Sequence, residues 1–465
     1  MHYVYEESSH LDNSCYEALG LSSEILMENA GNALAKAVKK RLTCKGKALF
    51  VCGAGNNGAD GIVAARILHK DCDIALFIPF GVQSKMAKLQ LERAQKVGVL
   101  IVESLTKANV YVDALFGAGL NRPLDIPTCE LLKELNAREG YKIACDIPSG
   151  IMSNLELSNV IFQADETITM GALKCSLLHD NTKDAVGKIK VANLGISRKI
   201  YETPSDMFLL QKQDLKLPLR NKKNSNKGSF GHVAVLCGQK EGACVLSSMS
   251  AFHFGAGLTT AIGEKIKNLP PYIMHSKTLP KSANVIVAGM GLEEPFDEGM
   301  VRSLLFGNAL PLVIDASLCY NLIIKEIVES RKAVVLTPHP KEFASILKLT
   351  CNEEIDTEKI QQNRFKYAKL FSQKFPHIVL VLKGANTIIA YENQLYINSF
   401  GTQALAKGGS GDVLAGMIGS LIAQGYSPKD ASISATLAHA LVAKKLTCNN
   451  FSLTPIDLCK GLKWL

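Results

Sequence analysis

Ala406-Lys-Gly-Gly-Ser-Gly-Asp-Val-Leu-Ala-Gly416 sets four glycines around a single aspartate, directly ahead of an apolar helical stretch running from Val413 to Gln424. Glycines let a backbone approach a phosphate closely, and a helix N-terminus turns unpaired N–H groups toward negative charge. Asp412 stands where it can take a proton from a substrate hydroxyl. A flexible Gly/Ser connector is the plainer reading, but such connectors rarely run straight into an amphipathic helix and seldom carry one embedded acid. The stretch is read as an anion site with a base inside it.

Working outward, apolar runs precede this loop at His232 to Cys237, Leu258 to Ile262, Val285 to Ala288, Leu312 to Asp315, Ala333 to Leu336 and Ile378 to Leu382. The first half shows the same pattern. Ala48 to Cys52, Ile74 to Pro79, Val99 to Val102, Val110 to Phe116 and Lys142 to Cys145 read as buried strands, alternating with helical segments such as Ala59 to His69 and Lys85 to Lys96. Strand and helix in alternation imply parallel sheets. Between the halves lies the polar stretch Leu219-Arg-Asn-Lys-Lys-Asn-Ser-Asn-Lys-Gly228, read as a solvated connector whose Arg220, Lys222, Lys223 and Lys227 could also attract nucleotide phosphate. No residue-level repeat relates the halves. The expectation is two α/β domains, residues 1–210 and 227–465, joined by a basic connector at 211–226.

At 465 residues the chain is too long for one ordinary core. No apolar run reaches membrane-spanning length, and Met1 to Ser14 is polar and partly acidic, so a soluble cytoplasmic protein without a membrane partner is expected. The thirteen cysteines lack C-x-x-C pairing, and Cys52, Cys145 and Cys237 sit within apparent strands as small hydrophobes of a reducing compartment. A net charge of +9 favours anionic partners. Because the Lys and Arg are dispersed and no aromatic-interleaved basic stretch occurs, nucleotide-sized anions fit better than nucleic acid.

Sites in parallel sheets lie outside the carboxyl ends of the strands. In the first half those positions hold Gly53-Ala-Gly-Asn-Asn-Gly-Ala-Asp60, Asp113 to Pro123 and Asp146-Ile-Pro-Ser-Gly150, which are too polar for packing alone. The first fits G-x-G-x-x-G after a strand, the dinucleotide fingerprint, which raises an NAD-dependent dehydrogenase as a rival. That reading needs an acid at the end of the second strand. The strand Asp73-Ile-Ala-Leu-Phe-Ile-Pro-Phe80 carries its acid at the start.

Together with Leu26-Met-Glu-Asn-Ala-Gly31 and Thr169-Met-Gly-Ala-Leu-Lys174, these segments resemble the NAD(P)H-hydrate epimerase family from about Leu11 to Pro204. The resemblance implies a Rossmann-like three-layer α/β/α domain. Its hydrated nicotinamide nucleotide would lie against Asn56, Asn57, Gly58, Ala59, Asp60, Gly117, Ala118, Gly119, Leu120, Asn121, Arg122, Pro123 and Asp146. It further implies a potassium ion held by Asn57, Asp113 and Ser149, Asp146 as principal acid–base residue, and Lys174 as a weaker candidate for substrate contact. The plainer readings are a cap or turn before Pro148 for Asp146, and a solvated surface lysine for Lys174.

The second half resembles the ADP- or ATP-dependent NAD(P)H-hydrate dehydratase family, a branch of the ribokinase-like α/β fold, over most of Lys227 to Leu462. The matching pieces are Lys227-Gly-Ser-Phe-Gly-His232, Gly242-Ala243 leading to Gly255-Ala-Gly257, Ala288-Gly-Met-Gly-Leu292, Thr337-Pro-His-Pro-Lys-Glu342, Lys383-Gly-Ala-Asn-Thr387 and the loop at Asp412. Pro271-Tyr-Ile stands where many relatives have Pro-Glu, and Gly401-Thr402 where they often have Gly-Asn; neither touches the phosphate loop. The resemblance implies that Asp412 deprotonates the hydrate's hydroxyl while the amides of Gly409 to Gly411 and magnesium stabilise the moving phosphoryl group. It places Gly291, His339 and Asp412 at the hydrate, and Lys383, Gly384, Ala385, Asn386, Thr387 and Gly411 at ADP or ATP. A loop histidine, a hairpin turn at Lys383-Gly384 and a tight turn at Gly291 are the plainer readings.

The function expected is repair: interconversion of the R and S hydrates by the first domain, and ADP-driven dehydration of the S form to NAD(P)H, leaving AMP and phosphate, by the second. A homo-oligomer is expected. Two alternatives remain open, a ribokinase-like small-molecule kinase with an accessory nucleotide-binding domain and a non-catalytic nucleotide sensor. A kinase would accumulate a stable phosphorylated product.

Overall fold

A computed structural model describes residues 1–42, 46–153, 156–446 and 449–465, and it divides into two compact units, Tyr3–Ser205 and Asp206–Leu465 with Met1–His2. In the first unit, seven parallel strands lie in the order Leu100–Val102, Asp73–Phe77, Lys47–Cys52, Val110–Ala114, Tyr141–Cys145, Glu166–Met170 and Lys188–Ala192. Counted along the chain the order is 3-2-1-4-5-6-7, so the winding reverses between Lys47–Cys52 and Val110–Ala114. Loops leaving those two strands diverge to opposite faces, and the crevice between them is where a doubly wound sheet takes its ligand.

Burial on both faces explains the uninterrupted apolar strands, with Leu49, Phe50, Val51, Val110 and Val112 all at 0% exposure. Three expectations change here. Val99–Val102 is not a buried strand, for Leu100 is 52% exposed on the sheet's edge. The helix expected from Ala59 spans Asn56–Leu68, because Asn56 and Asn57 form its first turn. Glu166–Met170 and Lys188–Ala192, which charge obscured in the sequence, complete the sheet. The fully buried Glu166 is tolerated because Arg41, at 2.9 Å, and Lys190 neutralise it.

In the second unit the strand order is Met274–Ser276, Leu258–Ile262, His232–Leu236, Val285–Ala288, Leu312–Ile314, Val334–Leu336, Ile378–Leu382, Thr387–Tyr391, Gln394–Asn398 and Met207–Leu209. The first seven run parallel, but Thr387–Tyr391 is antiparallel to both of its neighbours. The sheet is therefore mixed instead of purely parallel. Residues 383–386 are too few for a crossover, so the chain can only turn back on itself.

The glycine-rich loop leads into helix Ser410–Ala423, three residues earlier than its apolar run suggested. Gly409, at φ 90°, is its N-cap, a left-handed conformation that a side chain would oppose. This helix is buried almost all round instead of amphipathic, lying against Glu241–His253 and Pro428–Leu446. Among the described residues no helix is long and apolar enough to cross a membrane. The described cysteines carry free thiols; Cys44 and Cys448 lie outside the described residues, and Cys237 falls just past its strand.

Candidate functional site

Strand ends in the first unit bring Asp113, Asp146 and Ser149 together, as the sequence led one to expect. Asp113, wholly buried, accepts from Ser149 Oγ at 2.7 Å, Ser149 N at 2.8 Å and Leu115 N at 3.1 Å. Burial pushes its carboxyl up to about 6 against the pull of those donors. Asn57 comes from the start of the neighbouring helix, and its buried Nδ2 has no hydrogen-bond partner among the described residues. An unsatisfied amide in a native site calls for a missing partner. Amide O and N exchange places by a flip, so an oxygen can occupy that position.

Asp146 sits just beyond strand Tyr141–Cys145 at φ 66°, a left-handed backbone that Asp and Asn tolerate better than other residues with side chains. Its Oδ1 accepts from Lys174 Nζ at 2.7 Å, Met170 N at 3.1 Å and Thr169 Oγ1 at 3.2 Å; its Oδ2 accepts from Ala118 N at 3.0 Å. Burial alone would raise this carboxyl, but the Lys174 ammonium and the amide donors outweigh it and hold the group below the usual carboxylate range. Lys174 is no surface lysine. It is 3% exposed, and its Nζ also donates to Met170 O at 2.6 Å.

The neighbouring loop completes the crevice. A Cβ on Gly117 would lie 2.9 Å from Asn57 Oδ1 and 3.0 Å from Asp146 Oδ2, so glycine leaves both side chains room to face this loop. Gly58 backs onto the carbonyl of Gly53, and Ala59 packs into the core. Of that run, Asn56 is exposed, and Asn57 and Asp60 are half-buried. Burial and the nearby Asp146 and Asp12 carboxylates push Asp60 well above the ordinary range. Ala118, Gly119, Asn121, Arg122 and Pro123 are exposed, while Leu120 is buried.

In the second unit Asp412 occupies the first turn of its helix, half-buried and without an ion pair among the described residues. Gly411 fronts a cluster the sequence reading had only half seen, for a Cβ there would lie 3.3 Å from Lys383 Nζ and 3.7 Å from Asp315 Oδ2. Lys383 pairs with Asp315 at 2.7 Å and with Glu342 at 3.6 Å. Burial opposes the ammonium, yet the two carboxylates raise it further than burial lowers it. The same environment pushes Asp412 up to about 6, chiefly through burial and then through the Asp315 charge, with Lys383 pulling the other way. A carboxyl poised there changes charge near neutral pH, as a general base must.

His339 caps helix Pro340–Cys351, where its Nδ1 accepts from Glu342 N at 3.2 Å and its Nε2 lies 3.3 Å from Glu342 Oε1. It is a capping residue beside the cluster, not a loop histidine. Gly291, at φ 71°, backs onto the carbonyl of Lys240, and no hydrogen bond among the described residues ties it to Asp412. Lys383 and Gly384 do open a hairpin, and Lys383 carries it to the Asp315 and Glu342 carboxylates. Gly384 and Ala385 are exposed at its tip, Asn386 is buried, and Thr387 begins the returning strand.

Three contributors escaped the sequence reading. Asp315 closes an apolar run and Glu342 closes the piece Thr337-Pro-His-Pro-Lys-Glu342, and nothing local marks two acids 27 residues apart as neighbours of one lysine. Arg364, 2% exposed, reaches from another helix to donate to Leu382 O at 2.8 Å, Asn386 O at 2.8 Å and Lys383 O at 3.0 Å. It pins both ends of the hairpin. Arg364→Met should withdraw three charged hydrogen bonds from these carbonyls and cost roughly 3 kcal/mol in urea unfolding. A loss below about 0.5 kcal/mol would show that the pin is dispensable.

The carboxyl-terminal residues 233–463 match the family model described as NAD(P)H-hydrate dehydratase, and residues 23–176 match the one described as YjeF-related protein N-terminus. The chain is 42% identical over 475 residues to the bifunctional NAD(P)H-hydrate repair enzyme Nnr of Helicobacter pylori, with 99% of each covered. It is 31% identical to that of Coxiella burnetii, covering 92% of this chain and 91% of the relative. An ADP/ATP-dependent NAD(P)H-hydrate dehydratase of Bacillus subtilis, co-crystallised with ATP and Mg2+, is 26% identical at a TM-score of 0.49, covering 55% of this chain and 96% of its own.

Proposed function

This chain belongs to the family of bifunctional NAD(P)H-hydrate repair enzymes, and from that premise we propose how its two sites divide the repair. Residues within 1–210 interconvert the R and S hydrates, and residues within 227–465 dehydrate the S form at the expense of ADP. One observation carries the reading: Asp412 in the first turn of a glycine-capped helix, its carboxyl pushed up to about 6 beside Lys383, Asp315 and Glu342.

Hydroxide leaves a ring carbon poorly, and phosphate leaves well. Asp412 takes the proton from the hydrate's hydroxyl, whose oxygen attacks the terminal phosphorus of ADP; AMP departs, and the ring then loses phosphate from that carbon and a proton from the neighbouring carbon, which forms the ring double bond and restores the reduced nicotinamide. The amides at Gly409 to Gly411 and the Lys383 ammonium face the charge that moves. Lys383, Gly384, Ala385, Asn386 and Thr387 hold the nucleotide, with His339 and Gly291 on the hydrate side. Magnesium, when bound, neutralises phosphate charge. Asp315, Glu342 and Asp412 offer carboxylate oxygens that would help hold it. Mg2+ is ordinarily held by one or two carboxylates together with substrate phosphates.

In the first unit Asp146 and Lys174 serve the exchange of the ring hydroxyl, with the nucleotide lying along Asn56 to Asp60 and Gly117 to Pro123. Potassium would be held by Asn57, Asp113 and Ser149, whose neutral and singly charged oxygens suit a large monovalent ion. The unpartnered Asn57 amide supports that placement. Free thiols support a reducing, cytoplasmic setting.

Purified protein given both hydrate epimers with ADP or ATP should return NADH or NADPH absorbance and release inorganic phosphate. Consumption of both epimers is expected. A halt with the R form unspent would show the first site idle, and a stable phosphorylated product would favour a small-molecule kinase. Gly117→Ala should slow interconversion by about tenfold or more, since displacing reacting groups by as little as 1 Å is costly. An unchanged rate in the epimer-exchange assay would remove Asn57 and Asp146 from the site.

A further inference from the structure

Exchanging a ring hydroxyl needs a proton donor as well as a base. The C–O bond breaks with its electron pair on oxygen, a proton makes that oxygen water, and the ring nitrogen's lone pair carries the resulting cation. Water then adds to the other face and gives its proton back. Asp146 is badly placed to supply that proton. Four donors already occupy its two oxygens, and each of them favours the anion.

Another acid lies near enough to feel its charge. Asp12, on helix Ser9–Leu19, accepts from Tyr201 Oη at 2.7 Å through Oδ1, while its Oδ2 has no partner among the described residues. Tyr201 is packed onto the turn that holds Asp146. A Cβ on Gly171 would lie 2.5 Å from the Tyr201 hydroxyl, and the adjoining Thr169 and Met170 both donate to Asp146. Tyr201 itself is 4% exposed in a cluster with Leu11, Cys15, Leu26 and Ala172, so Asp12 hangs from a fixed support. The titratable groups around Asp12 are Lys174 and Asp146 at the strand ends, Asp60 on helix Asn56–Leu68, and Cys15 and Tyr16 on its own helix, both pushed further toward their neutral forms.

On the epimerase reading above, we infer that Asp12, held by Tyr201, is the proton donor that works opposite Asp146. Desolvation favours its protonated form, while the Tyr201 hydroxyl and Lys174 oppose this. Two neighbouring carboxyls with environments that push them apart are how one site holds an acid and a base at one pH.

The test follows R-to-S exchange without ADP, normalised to ADP-dependent dehydration of the S form by the same full-length preparation. Asp12→Asn should lower exchange by about 100-fold, and Asp12→Glu should restore part of it. In Tyr201→Phe the anion loses its donor, the carboxyl rises, and the alkaline limb of exchange moves to higher pH. Wild-type exchange in Asp12→Asn, or an alkaline limb that stays put or moves down in Tyr201→Phe, would overturn the inference. So would a large loss confined to Asp60→Asn. Absence of exchange in the unaltered chain would instead sink the epimerase reading itself.

Discussion

Asp412→Asn is expected to slow the return of reduced nicotinamide by about 1,000-fold, the range for losing a positioned general base, while ADP still binds through the Lys383 hairpin. The base works ionised. With its carboxyl at about 6, the unaltered enzyme should lose dehydration activity as pH falls through about 6. Desolvation and the Asp315 charge set that limb, and the Asn variant should lack it. The sign for stability is opposite to that for activity. A carboxyl raised above its unfolded value destabilises the folded chain once pH exceeds both values, so Asp412→Asn should be the more heat-stable protein at pH 7. A variant with near-normal turnover would remove Asp412 from the chemistry.

Asp146→Asn should stop hydrate consumption with the R epimer left over, exchange falling by roughly 100- to 10,000-fold. Asn is the informative replacement because it accepts the φ of 66° that this position requires, so lost activity is not lost backbone geometry. It does strand Lys174, which is 3% exposed and loses its carboxylate partner. Breaking a buried pair costs about 3–5 kcal/mol, and thermal unfolding should register that. Lys174→Met provides the companion measurement: it also breaks the pair but leaves Asp146 its amide donors. Chromatographic separation of the epimers without ADP reads both variants, and undiminished exchange in Asp146→Asn would take the acid–base role away from it.

Most of the alternating strands and helices were legible because buried parallel strands are almost uniformly apolar, as at Ala48 to Cys52 and Ile378 to Leu382. Where charge is neutralised from afar, legibility failed. Glu166 hides a strand because its partner Arg41 lies 125 residues away, and Leu100 mimics a buried strand although it lies at an edge. The start of Ser410–Ala423 is hidden because Ser, Gly and Asp carry no apolar signal while forming its first turn.

The candidate sites divide in the same way. Loops at Asn57, Gly117, Asp146, Lys383 and Asp412 were readable, since glycine and acid just beyond an apolar strand is a local pattern. Lys174 reads equally well as a substrate contact or a surface residue, and the sequence assigns no role to Asp12, Tyr201, Asp315, Glu342 or Arg364. The chain alone determines which residues end its strands, because hydrophobic periodicity and turn chemistry act over a few positions. Which charges meet there, and hence which carboxyl is held ionised and which is pushed up, only the tertiary structure decided: that depends on desolvation and on partners that folding brings within a few ångströms from far along the chain.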